Sequence, residues 1–168
     1  MLSGYIATLS DNQLTGSTKW RDDHGYQVSR LHTVSVGLSS GGWVSGSSSI
    51  GQFIQADLGT VRRVEMIATQ GRQNFDHWVT SYRFSYSVDG VTYTFVVECD
   101  GSERVFTGNT DRDTVVENEL ETAVAARFVR IHPQTYHGTP SLRWEVYGCD
   151  IGKKCYHVLC ANNALVDV

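Results

Sequence analysis

The sequence predicts an all-β domain, an antiparallel β-sandwich or jelly roll, and three observations carry that expectation. The first is composition: 20 Val, 15 Thr, 16 Ser and 16 Gly stand against only 10 Leu, 8 Ala and 3 Lys in 168 residues. Val and Thr suit a pleated, half-buried surface, whereas Leu, Ala and Lys favour helices. The second is period-two alternation in short runs bounded by turn residues. The third is negative, since no ten-residue window carries a convincing helical stripe. The length fits one domain, residues 1–149, followed by a Cys-containing tail over 150–168.

The elements follow in chain order. Residues 1–51 carry turn chemistry with short strand-like pieces. Within them SSGGWVSGSSS, residues 39–49, is a loop with Trp43 embedded in Ser and Gly. Residues 52–58 read as a strand stopped by Gly59, and residues 63–69 as a second stopped near Gly71. In SYRFSYS, residues 81–87, Tyr82, Phe84 and Tyr86 share one face and Ser81, Arg83 and Ser85 the other. Asp89 and Gly90 turn the chain, with 91–98 as the return strand. Strands at 114–117 and 126–132 follow. In the last, 141–147, Leu142, Trp144 and Val146 alternate with Arg143, Glu145 and Tyr147. Regularly spaced short strands of this kind build sandwiches and jelly rolls.

The same arithmetic excludes several functions. No apolar run approaches the ~18 residues of a membrane-spanning helix. The net charge is −4 and the 11 Arg are scattered, without the basic stripe that counterion release requires, so no nucleic-acid partner is expected. Residues 1–20 lack the basic and apolar segments of a signal peptide. Cys155 and Cys160 with His157 between them have metal-clip spacing, but zinc needs four ligands and no second pair lies near. Gly37, Ser39 and Gly41 fit the G-x-S-x-G pattern, yet the chain continues as loop where a nucleophile elbow needs a helix. A non-enzymatic role without cofactor or metal is expected.

Seven stretches then point to a family. TQG (69–71), HWVTSYRFSYSVDG (77–90), FTGNTDRDTVV (106–116), ARFVRIHP (126–133) and SLRWEVYGC (141–149), with SDNQLTGST (10–18) and QADLG (55–59), resemble the discoidin family. This is the coagulation factor V/VIII type C domain, and the similarity is greatest to discoidin-type lectins. The resemblance covers roughly 1–149 in the family's order. It implies an eight-stranded antiparallel β-sandwich of galactose-binding-domain-like type, with ligand-binding loops at one end. The matching residues themselves are read as structural: Gly71 and Gly148 serve turns, Arg127 and Arg130 pair on the sheet, and Phe128 and Trp144 fill the core. The family joins its termini through a disulfide whose second position is Cys149, while the first would precede Met1. The tail segment 155–160 is therefore expected to dock near the domain base.

The resemblance brings three loops together: 19–26, 43–49 and 72–78, bordered by 134–138. A pyranose offers C–H patches that stack on aromatic faces and hydroxyls that need donors and acceptors. Trp20, Tyr26, Phe75 and Tyr136 supply the aromatics. Asp22, Asp23, His24, Arg72, Asn74, Asp76 and His77 supply the polar groups. Against this stand plainer readings. Trp78 opens a strand and is read as core, Trp43 leans towards a wall of the fold, and Asp23 and Asp76 serve equally well as turn caps.

The expected partners are glycans or glycoconjugates of galactose-like type, with the protein outside the cell or on its surface. The alternative is adhesion to a phospholipid membrane or a cell-surface protein through the same loops. Asp22 and Asp23 count against anionic lipid at about 1 kcal/mol per charge, and the second loop offers only Ser and Gly where lipid binders expose apolar tips. Family members that capture a C-terminal arginine carry an acidic residue where Ser47, Ser48 and Ser49 stand here. The calcium-binding Asp-Gly turn of sugar-binding relatives is replaced by residues 33–42, which hold no carboxylate. A shallow sugar site binds weakly and gains from several copies, which favours a homo-oligomer or repeated domains.

Overall fold

The computed structural model describes residues 9–152. Eight strands lie among them: β1 (Leu14–Gly16), β2 (Trp43–Val44), β3 (Ile54–Gln70), β4 (Trp78–Ser87), β5 (Thr94–Phe95), β6 (Phe106–Thr107), β7 (Val116–His137) and β8 (Ser141–Asp150). The tail cysteines 155 and 160 lie outside the described residues, so the expected docking of the tail does too. Cys99 is an exposed free thiol.

All paired strands are antiparallel, in the order β2-β8-β3-β7-β4-β5, with β1 on β3 and β6 on β4. Two strands are long enough to serve both layers of the sandwich. The first part of β3 pairs with β1 and with residues 128–131 of β7, which also face β4. Its second part pairs with β8 and with residues 116–126 of β7. Between them the register jumps from Asp57↔Phe128 to Arg62↔Ala126. Extra residues on one strand bend it and sharpen its twist. Gly59, at φ +79°, sits in this corner. The strand end expected at Gly59 is instead a corner inside β3, because a glycine that turns a strand looks the same in sequence as one that terminates it.

The core contains Trp43, Ile54, Ile67, Tyr82, Phe84, Phe106, Ile131 and Leu142, all essentially inaccessible to water. Tyr82 stacks on Phe106 at 5.4 Å, and Asn118 Nδ2 donates to its hydroxyl at 3.2 Å. Burial pushes the Tyr82 phenol well above its ordinary pKa. Arg127 grips Asp57 through two bonds, 2.9 and 3.0 Å, as expected of a sheet-pairing arginine.

Three expectations need correction. Phe128 is only partly buried, lying under the Arg127 guanidinium and against Gly90, while its neighbour Val129 enters the core. The return strand expected over 91–98 shrinks to Thr94–Phe95, because the Asp89 carboxylate captures the amides of Val91 and Thr92. On β8 both faces are buried, so Arg143 and Glu145, which read as a solvent face, lie inside.

His132 on β7 gives the fold a measurable acid sensitivity. Its ring lies between Phe95 (5.0 Å) and Phe53 (5.8 Å), with Ser85 Oγ 2.8 Å from Nε2. Burial, reinforced by Arg130 and Arg83, lowers its pKa from the ordinary 6.5 to about 4. The unfolded chain therefore takes up a proton that the folded domain refuses. Stability is whole above pH 6.5 and falls as pH drops from there towards 4, by on the order of 3 kcal/mol. Urea unfolding at pH 7, 5.5 and 4 should show this slope, and His132→Phe should flatten it. An unchanged slope in that variant would assign the acid sensitivity elsewhere.

Candidate binding site at the loop end

The first loop is pinned to β2 by the Trp20 amide, which donates to Val44 O at 2.9 Å. A 3-10 turn then spans Asp22–His24. His24 is buried, with Nδ1 2.6 Å from Asp23 Oδ1 and Nε2 3.4 Å from Arg72 Nη2. A guanidinium cannot accept a hydrogen bond, so in this arrangement Nε2 accepts from Arg72 and Nδ1–H donates to Asp23 Oδ1. The His24 bond, then Arg21, holds the Asp23 carboxyl below the usual carboxylate range.

The third loop is closed by Arg72 N donating to His77 O at 3.0 Å and His77 N to Phe75 O at 2.7 Å. Arg72 Nε donates to Ser40 O (3.1 Å) and Asn74 Oδ1 (2.9 Å), while Asn74 Nδ2 reaches Ser35 Oγ at 3.1 Å. The guanidinium lies 5.1 Å from the centre of the Phe75 ring, which meets His77 edge-on at 4.7 Å. His77 packs onto Gly138, where a Cβ would approach its ring to 2.0 Å and φ is +71°. Burial, then Arg72 and His137, lowers the His77 pKa from its ordinary value. A neutral imidazole is favoured there.

These loops enclose a concavity of about 290 Å³ lined by Trp20, Arg21, His24, Val44, Arg72, Phe75, His77 and Thr139. Trp20 and Phe75 stand at its mouth, 60% and 53% exposed. Five sequence-predicted site residues thus line one cavity: Trp20, His24, Arg72, Phe75 and His77. Asp23 and Asn74 stand behind it, holding His24 and Arg72. Asp22 turns onto Lys19 (2.7 Å) and Asp76 onto Arg112 (3.2 Å). Tyr26 faces inward against the core, its hydroxyl donating to Gly16 O at 3.1 Å. Tyr136 lies off the lining and donates to Ser48 O at 3.2 Å.

Sequence reasoning passed over Arg21, Val44 and Thr139. Arg21 and Val44 were inside the chosen loops, where a single aliphatic residue or a lone cation gives no signal of direction. Trp43 is fully buried, its indole donating to Thr18 O at 2.9 Å. Trp78 is half-buried and stacks on His137 at 4.5 Å. Gly37, Ser39 and Gly41 lie in irregular chain, with no strand before them and no helix after.

Residues 11–146 match the F5/8 type C domain model. The chain belongs to the F5/8 type C, or discoidin, domain family. This F5/8 type C domain is 36% identical over 156 residues to discoidin-2 of Dictyostelium discoideum, covering 89% of this chain and 59% of that protein. It is 42% identical over 109 residues to lactadherin of Mus musculus, covering 64% of this chain and 23% of that one. The chain thus spans only part of the relatives it matches. Among solved structures, recombinant discoidin II of Dictyostelium discoideum superposes with a TM-score of 0.75 at 34% identity, over 84% of this chain and 56% of that one. The family 32 carbohydrate-binding module of Clostridium perfringens NanJ, solved in complex with galactose, gives 0.62 at 18% identity, over 88% and 99%, a likeness of fold alone. The F5/8 type C fold is a binding-module fold.

Proposed function

We propose that this F5/8 type C domain is a non-enzymatic lectin module, acting outside the cell, that recognises glycans through the concavity between its first and third loops. One observation supports this most: two exposed aromatic faces, Trp20 and Phe75, flank the hydrogen-bonding pair His24 and Arg72 in one cavity. An aromatic platform beside a few convergent polar groups is what sugar recognition requires. The galactose complex of the fold-related NanJ module agrees with that reading. A glycan array probed with the domain in multivalent form should give specific signals, and Trp20→Ala should weaken them by roughly ten-fold, the loss of one stacking contact. An array that stays blank would overturn the proposal.

A second reading has its own support. Val34, Val36 and Leu38 project from the loop beside the site, Leu38 being 82% exposed, and Ile50 is bare on the neighbouring loop. In the sequence, the Asp22 and Asp23 charges and the Ser- and Gly-rich second loop count against phospholipid, whereas these apolar tips lie on residues 34–38 and at Ile50. Flotation with phosphatidylserine liposomes, lost in a Val36→Ser, Leu38→Ser variant that keeps its array signal, would assign membrane adhesion to these tips.

A further inference from the structure

The carboxylates that the sequence offers to this site do not face its ligand. Asp22 and Asp76 point away onto Lys19 and Arg112, and Asp23 is held by His24 and Arg21. What faces the cavity is Arg21 and Arg72, with His24 and His77 beside them and no acidic residue in the lining. Arg72 is half-buried, and among the described residues no carboxylate lies within ion-pairing distance of it. Its Nε is satisfied by neutral oxygens, and Nη2 meets only the ring of His24. Burial, then Arg21, depresses its pKa, partly offset by the Asp23 carboxylate behind His24.

The hydrogen-bonding sense leans towards donors. Arginine and the indole N–H only donate and His24 Nε2 is already occupied by Arg72, which leaves the Thr139 hydroxyl and one nitrogen of His77 as the side-chain acceptors in the lining. A neutral pyranose presents hydroxyls that must donate as well as accept, whereas a carboxylate or sulfate only accepts. We propose that the concavity selects an acidic glycan, a sugar carrying a carboxylate or a sulfate ester, with Arg72 as the partner of the anion and Trp20 and Phe75 against the ring. This rests on the lectin reading and names its ligand class. The acidic chain as a whole then surrounds a locally basic pocket.

The test compares matched pairs by titration: galacturonic acid against galactose, sialyllactose against lactose, and galactose 6-sulfate against galactose. At roughly 50 mM salt the acidic member should bind about ten-fold tighter or better, and the advantage should shrink at about 500 mM. Arg72→Gln should erase the advantage. If that variant fails to fold, Arg21→Gln and the salt dependence of the unaltered domain carry the same information. Equal or stronger binding of the neutral members would overturn this inference and leave the lectin reading standing. Binding to neither class, with capture on phosphatidylserine vesicles instead, would overturn both.

Discussion

Arg143→Met is expected to lower the unfolding free energy by about 3–5 kcal/mol and to abolish ligand binding at temperatures where the variant is still folded. Arg143 sits on β8 at 2% exposure. Nε donates to Gly71 O (2.8 Å), Nη1 to Thr33 O (3.0 Å) and Nη2 to Arg112 O (2.6 Å), with Asp113 Oδ1 at 3.1 Å. One planar fork therefore joins three separate loops. Methionine fills much of the volume but strips the donors from the carbonyls of buried Gly71 and half-buried Thr33, each at a cost of about 1–3 kcal/mol if no water enters, and from that of the more exposed Arg112. Gly71 immediately precedes Arg72, so its release also frees the third site loop. Arg143→Lys keeps the charge and loses the fork, and should recover less than half of the lost stability. Urea unfolding, read beside array binding, separates the two effects. A loss below about 1 kcal/mol with unchanged binding would refute this account.

Trp43→Ala should be comparably severe, at about 3–5 kcal/mol. Trp43 is wholly buried in a two-residue strand paired to Leu142. The change also strands Thr18 O, the acceptor of its indole N–H. Thr18 opens onto the first loop, and Val44, the next residue, both lines the cavity and accepts the Trp20 amide. Binding should therefore fall along with stability. Trp43→Phe keeps most of the buried area and loses the hydrogen bond, so about 1–2 kcal/mol is expected. A midpoint shift in urea with an unchanged slope would identify a loss of native contacts rather than a looser native state.

The parts of this fold that were legible in sequence are those where one face meets water. Val79 and Tyr82 are buried between more accessible neighbours, Trp78 and Thr80 beside one and Ser81 and Arg83 beside the other, and alternation leaves its trace there; past Phe84 it fades, since Ser85 and Ser87 are buried too. On β8 that trace misleads, because Arg143, whose fork is satisfied inside the protein, and the buried Glu145 mimic a wet face. The strand after Asp89 was illegible for another reason: a side-chain carboxylate competes for backbone amides, and alternation says nothing about who wins. In the site, residue types were readable and directions were not. Asp22, Asp23 and His24 lie on one 3-10 turn, which fans successive side chains about 120° apart. Three consecutive polar residues thus point to three places, and only His24 reaches the cavity. Tyr26, one residue past that turn and its glycine, faces the core instead.

The two long strands have a consequence for how the domain comes apart. Ile54 lies opposite Ile131 and Thr69 opposite Val116, so β3 and β7 join segments remote in the chain and pass from one layer to the other. Neither layer can be peeled away without tearing strands that the other also uses. Opening should therefore be all-or-none, with the amides of β3 and β7 exchanging with solvent only through global unfolding. Folding should be slow, because these pairings close large loops before they return any contact energy. A module clustered on a surface and pulled through several bound ligands would then let go at its loops before its sheet yields.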